Sequence, residues 1–132
     1  MVDIKQIKEK ASSLRILVVD DEELIRILMT SFMERLFGEV VSAVDGQDAL
    51  EKFNHQGPFD MVLTDIRMPR INGMELIKEL RRIDQKLFIA MMSGAPEDAE
   101  DDLRNCDVFI EKPVGFDKIL DVLSQMIQSK GL

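Results

Sequence analysis

At 132 residues the chain has the length of one ordinary domain, and its apolar and charged fractions, 45% and 32%, are those of a soluble globular protein. A net charge of -8 argues against a nucleic-acid surface, and no apolar run approaches the ~20 residues of a membrane span. One cysteine, Cys106, excludes an internal disulfide and suits a reducing compartment, so the expected location is cytoplasmic.

The opening stretch, Met1 to Ser13, alternates charges with isolated Ile4 and Ile7 and lacks the apolar core of a signal peptide. A disordered tail and a short added helix fit it equally well. Residues 14–129 read as one domain, with 130–132 as a tail. Five short apolar runs follow: Arg15–Val19, Val40–Ala43, Met61–Thr64, Leu87–Met92 and Val108–Ile110. Most are continuous rather than alternating, as parallel strands buried on both faces require. Between the first two, Leu24, Leu28, Phe32 and Leu36 recur at helical spacing, with Gly38 placed to end the helix. Asp45 can cap a helix carrying Ala49, Leu50 and Phe53 that stops before Gly57 and Pro58. Gly73, Leu76, Ile77 and Leu80 mark a third, and Phe116, Ile119, Leu120, Leu123 and Ile127 mark the last. The stretch APEDAEDDLRN, residues 95–105, offers only Ala99 and Leu103 as an apolar pair, so the helix expected there is short or irregular and reads as a solvated acidic face. Strand and helix alternate throughout, which predicts an α/β fold around a parallel sheet.

Open α/β sheets bind ligands at the carboxyl ends of their strands. The first predicted strand runs into Asp20 and Asp21, the third into Asp65, the fourth into Ser93 and the fifth into Lys112 and Pro113. Three carboxylates, a hydroxyl and an amine therefore converge on one rim. Clustered carboxylates without histidine or cysteine suit a hard cation, and Mg²⁺ is the common choice. Lys112 adds a second positive charge for phosphate oxygens, Ser93 a hydrogen bond to one of them, and a carboxylate can itself serve as the nucleophile. The paired acids at 20 and 21 then have a reason to sit together, because a divalent cation screens their repulsion.

The stretches VVDDEE, DMVLTDIRMPRINGMEL, MMSG and FIEKP together resemble the receiver domain of bacterial two-component response regulators. The resemblance covers residues 14 to about 129. It implies a flavodoxin-like fold with strand order 2-1-3-4-5 and helices on both faces. It implies further that Asp65 accepts phosphate from a phosphohistidine, on a sensor histidine kinase or a phosphotransfer protein. Asp21 is then a direct Mg²⁺ ligand and Asp20 a ligand through water, with Asp65 and the backbone carbonyl of Arg67 completing the set. Lys112 contacts the phosphate, Ser93 moves to meet it, and Phe109 matches the aromatic switch position. Pro69 and Gly73 shape the loop after the acceptor, Arg67 and Ala95 flank the phosphoryl group, and the Lys112–Pro113 bond is cis in many relatives. The downstream protein target is not implied.

Taken singly, several of these residues have plainer readings. The nine methionines are core filling, His55 a surface turn residue, Cys106 and Phe109 packing residues. A stand-alone regulator, a phosphorelay intermediate and a receiver cut from a larger hybrid protein all fit the length. An enzyme rival is a small Mg²⁺-dependent aspartyl phosphohydrolase, but Arg67 stands where the haloacid-dehalogenase type places its general acid. The expected chemistry is thus confined to the protein's own phosphorylation and dephosphorylation. Ser93 and Lys112 lie 19 positions apart, shorter than is usual in the family by about one helical turn. Together with the acids at 97–102, this predicts activation without dimerisation through the fourth-helix face.

Overall fold

A computed structural model describes residues 3–94 and 105–132. Helix α1 (Ile4–Ala11) is followed by strand β1 (Arg15–Val19), α2 (Glu23–Glu34), β2 (Glu39–Ala43), α3 (Gly46–Gln56), β3 (Met61–Asp65), α4 (Gly73–Ile83), β4 (Phe88–Ser93), β5 (Val108–Glu111) and α5 (Phe116–Ser129). The strands form one parallel sheet in the order β2-β1-β3-β4-β5. This is the expected flavodoxin-like order. The acidic segment 95–104, with the short helix and Ala95 placed on it, lies outside the described residues.

Alternation along the strands divides the core in two. Ile16 and Val18 of β1, Met61 and Leu63 of β3, and Ala90 and Met92 of β4 face α1, α2 and α5. Leu17, Val19, Val62, Ile89 and Met91 face the opposite way, against α3 and α4. Both sides of β1, β3 and β4 are covered, which is why those strands read as unbroken apolar runs. Edge strand β2 is only partly buried and begins on the exposed Glu39. Methionines 29, 33, 61, 68, 91, 92 and 126 are buried, in keeping with their role as core filler.

Four expectations need correction or completion. The amino-terminal stretch is a helix, capped by Asp3 and holding Ile7 and Ala11 in the core beside α5. On α2 the stripe of Leu24 and Leu28 faces outward, 81% and 50% exposed, while Ile25, Met29 and Met33 face the sheet. The helix is apolar over more than one face, so periodicity alone leaves the rotation open by one residue. It ends at Glu34, four positions before Gly38; the Gly38 amide instead donates to the carbonyls of Ala11 and Leu14, tying α1 to β2. His55 is exposed but sits in the last turn of α3 rather than in the loop after it.

Candidate functional site

The sheet register sets the site. Val19 of β1 pairs with Thr64 of β3, so the following residues, Asp20 and Asp65, emerge side by side. Asp65 pairs with Met92, and Ser93 pairs with Glu111, so Ser93 and Lys112 emerge next along the same rim. The Lys112 amide donates to the Ser93 carbonyl at 2.8 Å, and the Ile66 amide to the Met92 carbonyl at 3.1 Å. Each residue predicted for the site from a strand end therefore arrives there.

The carboxylates of Asp20, Asp21 and Asp65 bring oxygens within 4.8 Å of one another. Asp20 is fully buried, Asp65 nearly so, and Asp21 is exposed. Asp20 Oδ1 accepts the Glu22 amide at 2.9 Å, and Asp20 Oδ2 is buried with no hydrogen-bond partner among the described residues. Lys112 Nζ donates to Asp65 Oδ2 at 2.9 Å and stands 4.0 Å from Asp20 Oδ2. Burial pushes the Asp20 carboxyl above its usual range, against the Glu22 amide and the charge of Lys112. Asp65 and Glu22 push it further in the same direction. At Lys112 burial works against the proton, but the hydrogen bond to Asp65 and the field of Asp65, Asp20 and Glu22 outweigh it and raise its pKa.

A buried carboxylate oxygen without a donor is costly unless a cation meets it. The donor set is oxygen only, which fits a hard divalent ion such as Mg²⁺ better than a thiophilic metal. A cleft of about 560 Å³ opens beside Asp21 and is lined by Arg67, Pro69 and Asn72 of the loop after β3. Ser93, 2% exposed, closes β4. Phe109 and Cys106 are both partly buried against the α3–α4 side of the core. The Lys112–Pro113 bond is cis.

Sequence reasoning passed over two neighbours. Arg26 donates to the Asp20 carbonyl at 2.9 Å, and Glu22 lines a mostly apolar groove with Ile25, Leu28, Lys112 and Pro113. Arg26 sits one and a half turns beyond the acids, a spacing that becomes meaningful only once a helix is known to start at Glu23.

The model of the family described as "Response regulator receiver domain" matches residues 16–124. The chain is 32% identical over 117 residues to the chemotaxis protein CheY of Bacillus subtilis, covering 86% of this chain and 97% of that protein. It is 35% identical over 95 residues to response regulator SSK1 of Arthrobotrys oligospora, covering 72% of this chain but only 9% of that much longer protein. Among solved structures, response regulator protein TrrA of Thermotoga maritima, in complex with Mg(2+)-BeF, is similar with a TM-score of 0.77 at 33% identity, covering 86% of this chain and 98% of that one.

Proposed function

This chain belongs to the response regulator receiver domain family and has a phosphoacceptor role in two-component signalling; we propose that Asp65 is the acceptor and that phosphorylation there switches the binding of a partner protein. The observation that carries the assignment is the hydrogen bond from Lys112 to Asp65, at 2.9 Å, within the carboxylate cluster. A carboxylate oxygen of Asp65 attacks phosphorus, the phosphorus–nitrogen bond of a phosphohistidine breaks, and the imidazole leaves with the electron pair. Lys112, already paired with Asp65, places its positive charge against the incoming phosphoryl oxygens. Ser93, at the end of the adjacent strand, supplies a hydroxyl on the same rim, and with Phe109 forms the switch.

Asp20, Asp21, Asp65 and the carbonyl of Arg67 would hold Mg²⁺. The bound ion would supply positive charge shared between the carboxylates and the phosphoryl oxygens. Asp20 Oδ2, without a hydrogen-bond partner among the described residues, supports this set, as does a similar protein solved with Mg(2+)-BeF. No separate substrate is turned over: Arg67, two residues after Asp65, cannot protonate a leaving group as a phosphohydrolase requires.

The phosphodonor is a sensor histidine kinase or phosphotransfer protein in the cytoplasm. No helix among the described residues is long and apolar enough to cross a membrane. Leu24, Ile27 and Leu28 form an exposed apolar face on the helix that leaves Asp20 and Asp21, which suits a donor that must approach Asp65. Acetyl phosphate with Mg²⁺ should add one phosphoryl group, released by hydroxylamine as an acyl phosphate is. Asp65→Asn should take up none; label retained by that variant would assign the wrong nucleophile. Ile27→Glu should slow transfer from a kinase while leaving acetyl phosphate labelling intact.

A further inference from the structure

Asp65 is followed by a loop, residues 66–72, that carries Arg67 and walls the cleft beside Asp21. Its base is closed tightly. The Gly73 amide donates to the Ile66 carbonyl at 2.7 Å, and a Cβ on Gly73 would stand 2.3 Å from the Asp65 carbonyl oxygen. Its far side is pressed on the start of α3, where a Cβ on Gly46 would stand 2.0 Å from the Ile71 carbonyl oxygen. Between these two contacts Arg70 has φ 65°, the positive-φ residue other than glycine among those described. A long side chain at that angle opposes an intrinsic preference of roughly 1–2 kcal/mol, so something must hold it.

The counterpart lies on α3. Asp45 is buried, and its two oxygens face different elements. Oδ1 accepts the Asp48 amide at 2.8 Å and caps the helix, while Oδ2 stands 3.6 Å from Arg70 Nε. Asp48 returns the tie by accepting the Val44 amide at 3.0 Å and pairing with Lys52 at 3.2 Å. Asp45 is thus fixed by its own helix and offers a stationary carboxylate to the loop. The Arg70 side chain is itself 68% exposed, so the contact has the modest strength of a surface ion pair, with the carboxylate half of it already ordered.

We propose that Asp45 and Arg70 are positioning residues: their ion pair latches the 66–72 loop onto α3 and thereby places the Arg67 carbonyl for the metal. This rests on the Mg²⁺ reading above. The latch acts through the loop and touches neither Asp65 nor the phosphoryl group. Its substitutions have separable consequences. Asp45→Asn keeps a helix cap, since asparagine caps as well as aspartate, and removes only the charge. Arg70→Gly removes the side chain and also relieves the backbone angle, so it should not destabilise the fold.

Isothermal titration of Mg²⁺ into the purified protein, paired with melting curves in EDTA, tests the latch. Each single variant should weaken the Mg²⁺ Kd by about two- to fivefold, the range of one ion pair. The double variant should be no weaker than either single, because both remove the same contact. Arg70→Lys should recover most of the loss. Melting of Arg70→Gly in EDTA should be unchanged or higher, a result a purely structural role would not produce alongside weaker Mg²⁺ binding. Wild-type affinity in both single variants, or losses that add in full in the double, would overturn the latch alone. A flat titration of the wild type would overturn the metal site and the latch with it.

Discussion

At the amino-terminal edge of the sheet the arginines are surrounded by acceptors, whereas at the carboxyl edge acids crowd around a lysine. Arg15 donates to the carbonyls of Gln56 and Pro58 and to both Glu39 oxygens, and its guanidinium lies 4.5 Å above the Phe59 ring. Arg81 donates to the carbonyls of Asn105, Gln85 and Leu87 and to Asp107, whose carboxylate also accepts the Ile89 amide. There the polar groups satisfy one another. At the other end Asp20, Asp21 and Asp65 meet Lys112, and Asp20 Oδ2 has no hydrogen-bond partner among the described residues. The difference teaches where this fold places stability and where it stores binding capacity. One edge is complete as folded; the other, on the Mg²⁺ reading, is completed by a ligand.

The largest expected contrast is in the response to Mg²⁺. A cation that binds only the native state raises the melting temperature by mass action, and Asp21→Ala should abolish that rise entirely. Arg81→Ala should leave the rise intact while lowering stability in EDTA. A melting curve of the wild type indifferent to millimolar Mg²⁺ would break the comparison at its base.

The second effect is that loss of stability itself. Removing the Arg81 guanidinium leaves partly buried carbonyls at Leu87 and Asn105 without their donor, at a cost of about 2–3 kcal/mol. Chemical denaturation in EDTA measures it. A loss under about 0.5 kcal/mol, the scale of an ordinary surface substitution, would mean that the edge is not held as described.

A smaller effect of opposite sign is expected at the rim. Asp20→Asn removes a buried charge whose cost is uncompensated without a cation, and should stabilise the protein in EDTA by about 1 kcal/mol. The same variant should respond less to Mg²⁺. Destabilisation in EDTA would show that the Asp20 charge is already balanced.

The smallest effect concerns pH at Glu39. The hydrogen bond from Arg15, and then its charge, hold this carboxyl below its ordinary 4.5. A depressed folded-state pKa gives stability that is present above the unfolded value and lost as pH falls through the folded one. Wild type should therefore exceed Glu39→Gln at neutral pH, and the gap should close as pH drops below about 4.5. A gap that persists in acid would place the interaction in packing rather than charge.

The strand order and the choice of Asp65 as acceptor came from the resemblance to receiver domains, whereas strand-helix alternation and the residues ending each strand were enough to predict a parallel sheet and the polar set at its rim. Those features depend on local signals, namely buried strands that read as apolar runs and polar residues at their carboxyl ends. Asp45 as a cap was equally legible, because a cap acts within its own turn. What the sequence left open are matters of long-range contact. Whether Met1 to Ser13 forms a tail or a helix depends on the room for Ile7 and Ala11 beside α5, 100 residues and more along the chain. Which stripe of α2 turns inward depends on the sheet it meets, since Leu24 and Ile25 are equally apolar. Arg26 against Asp20, and Arg70 against Asp45, are ties between elements whose relative placement no periodicity encodes. Local pattern thus determined which chemistry gathers at the rim. Only the packed structure decided how the surrounding loops and helices are held against it, because those forces act between segments distant in the chain.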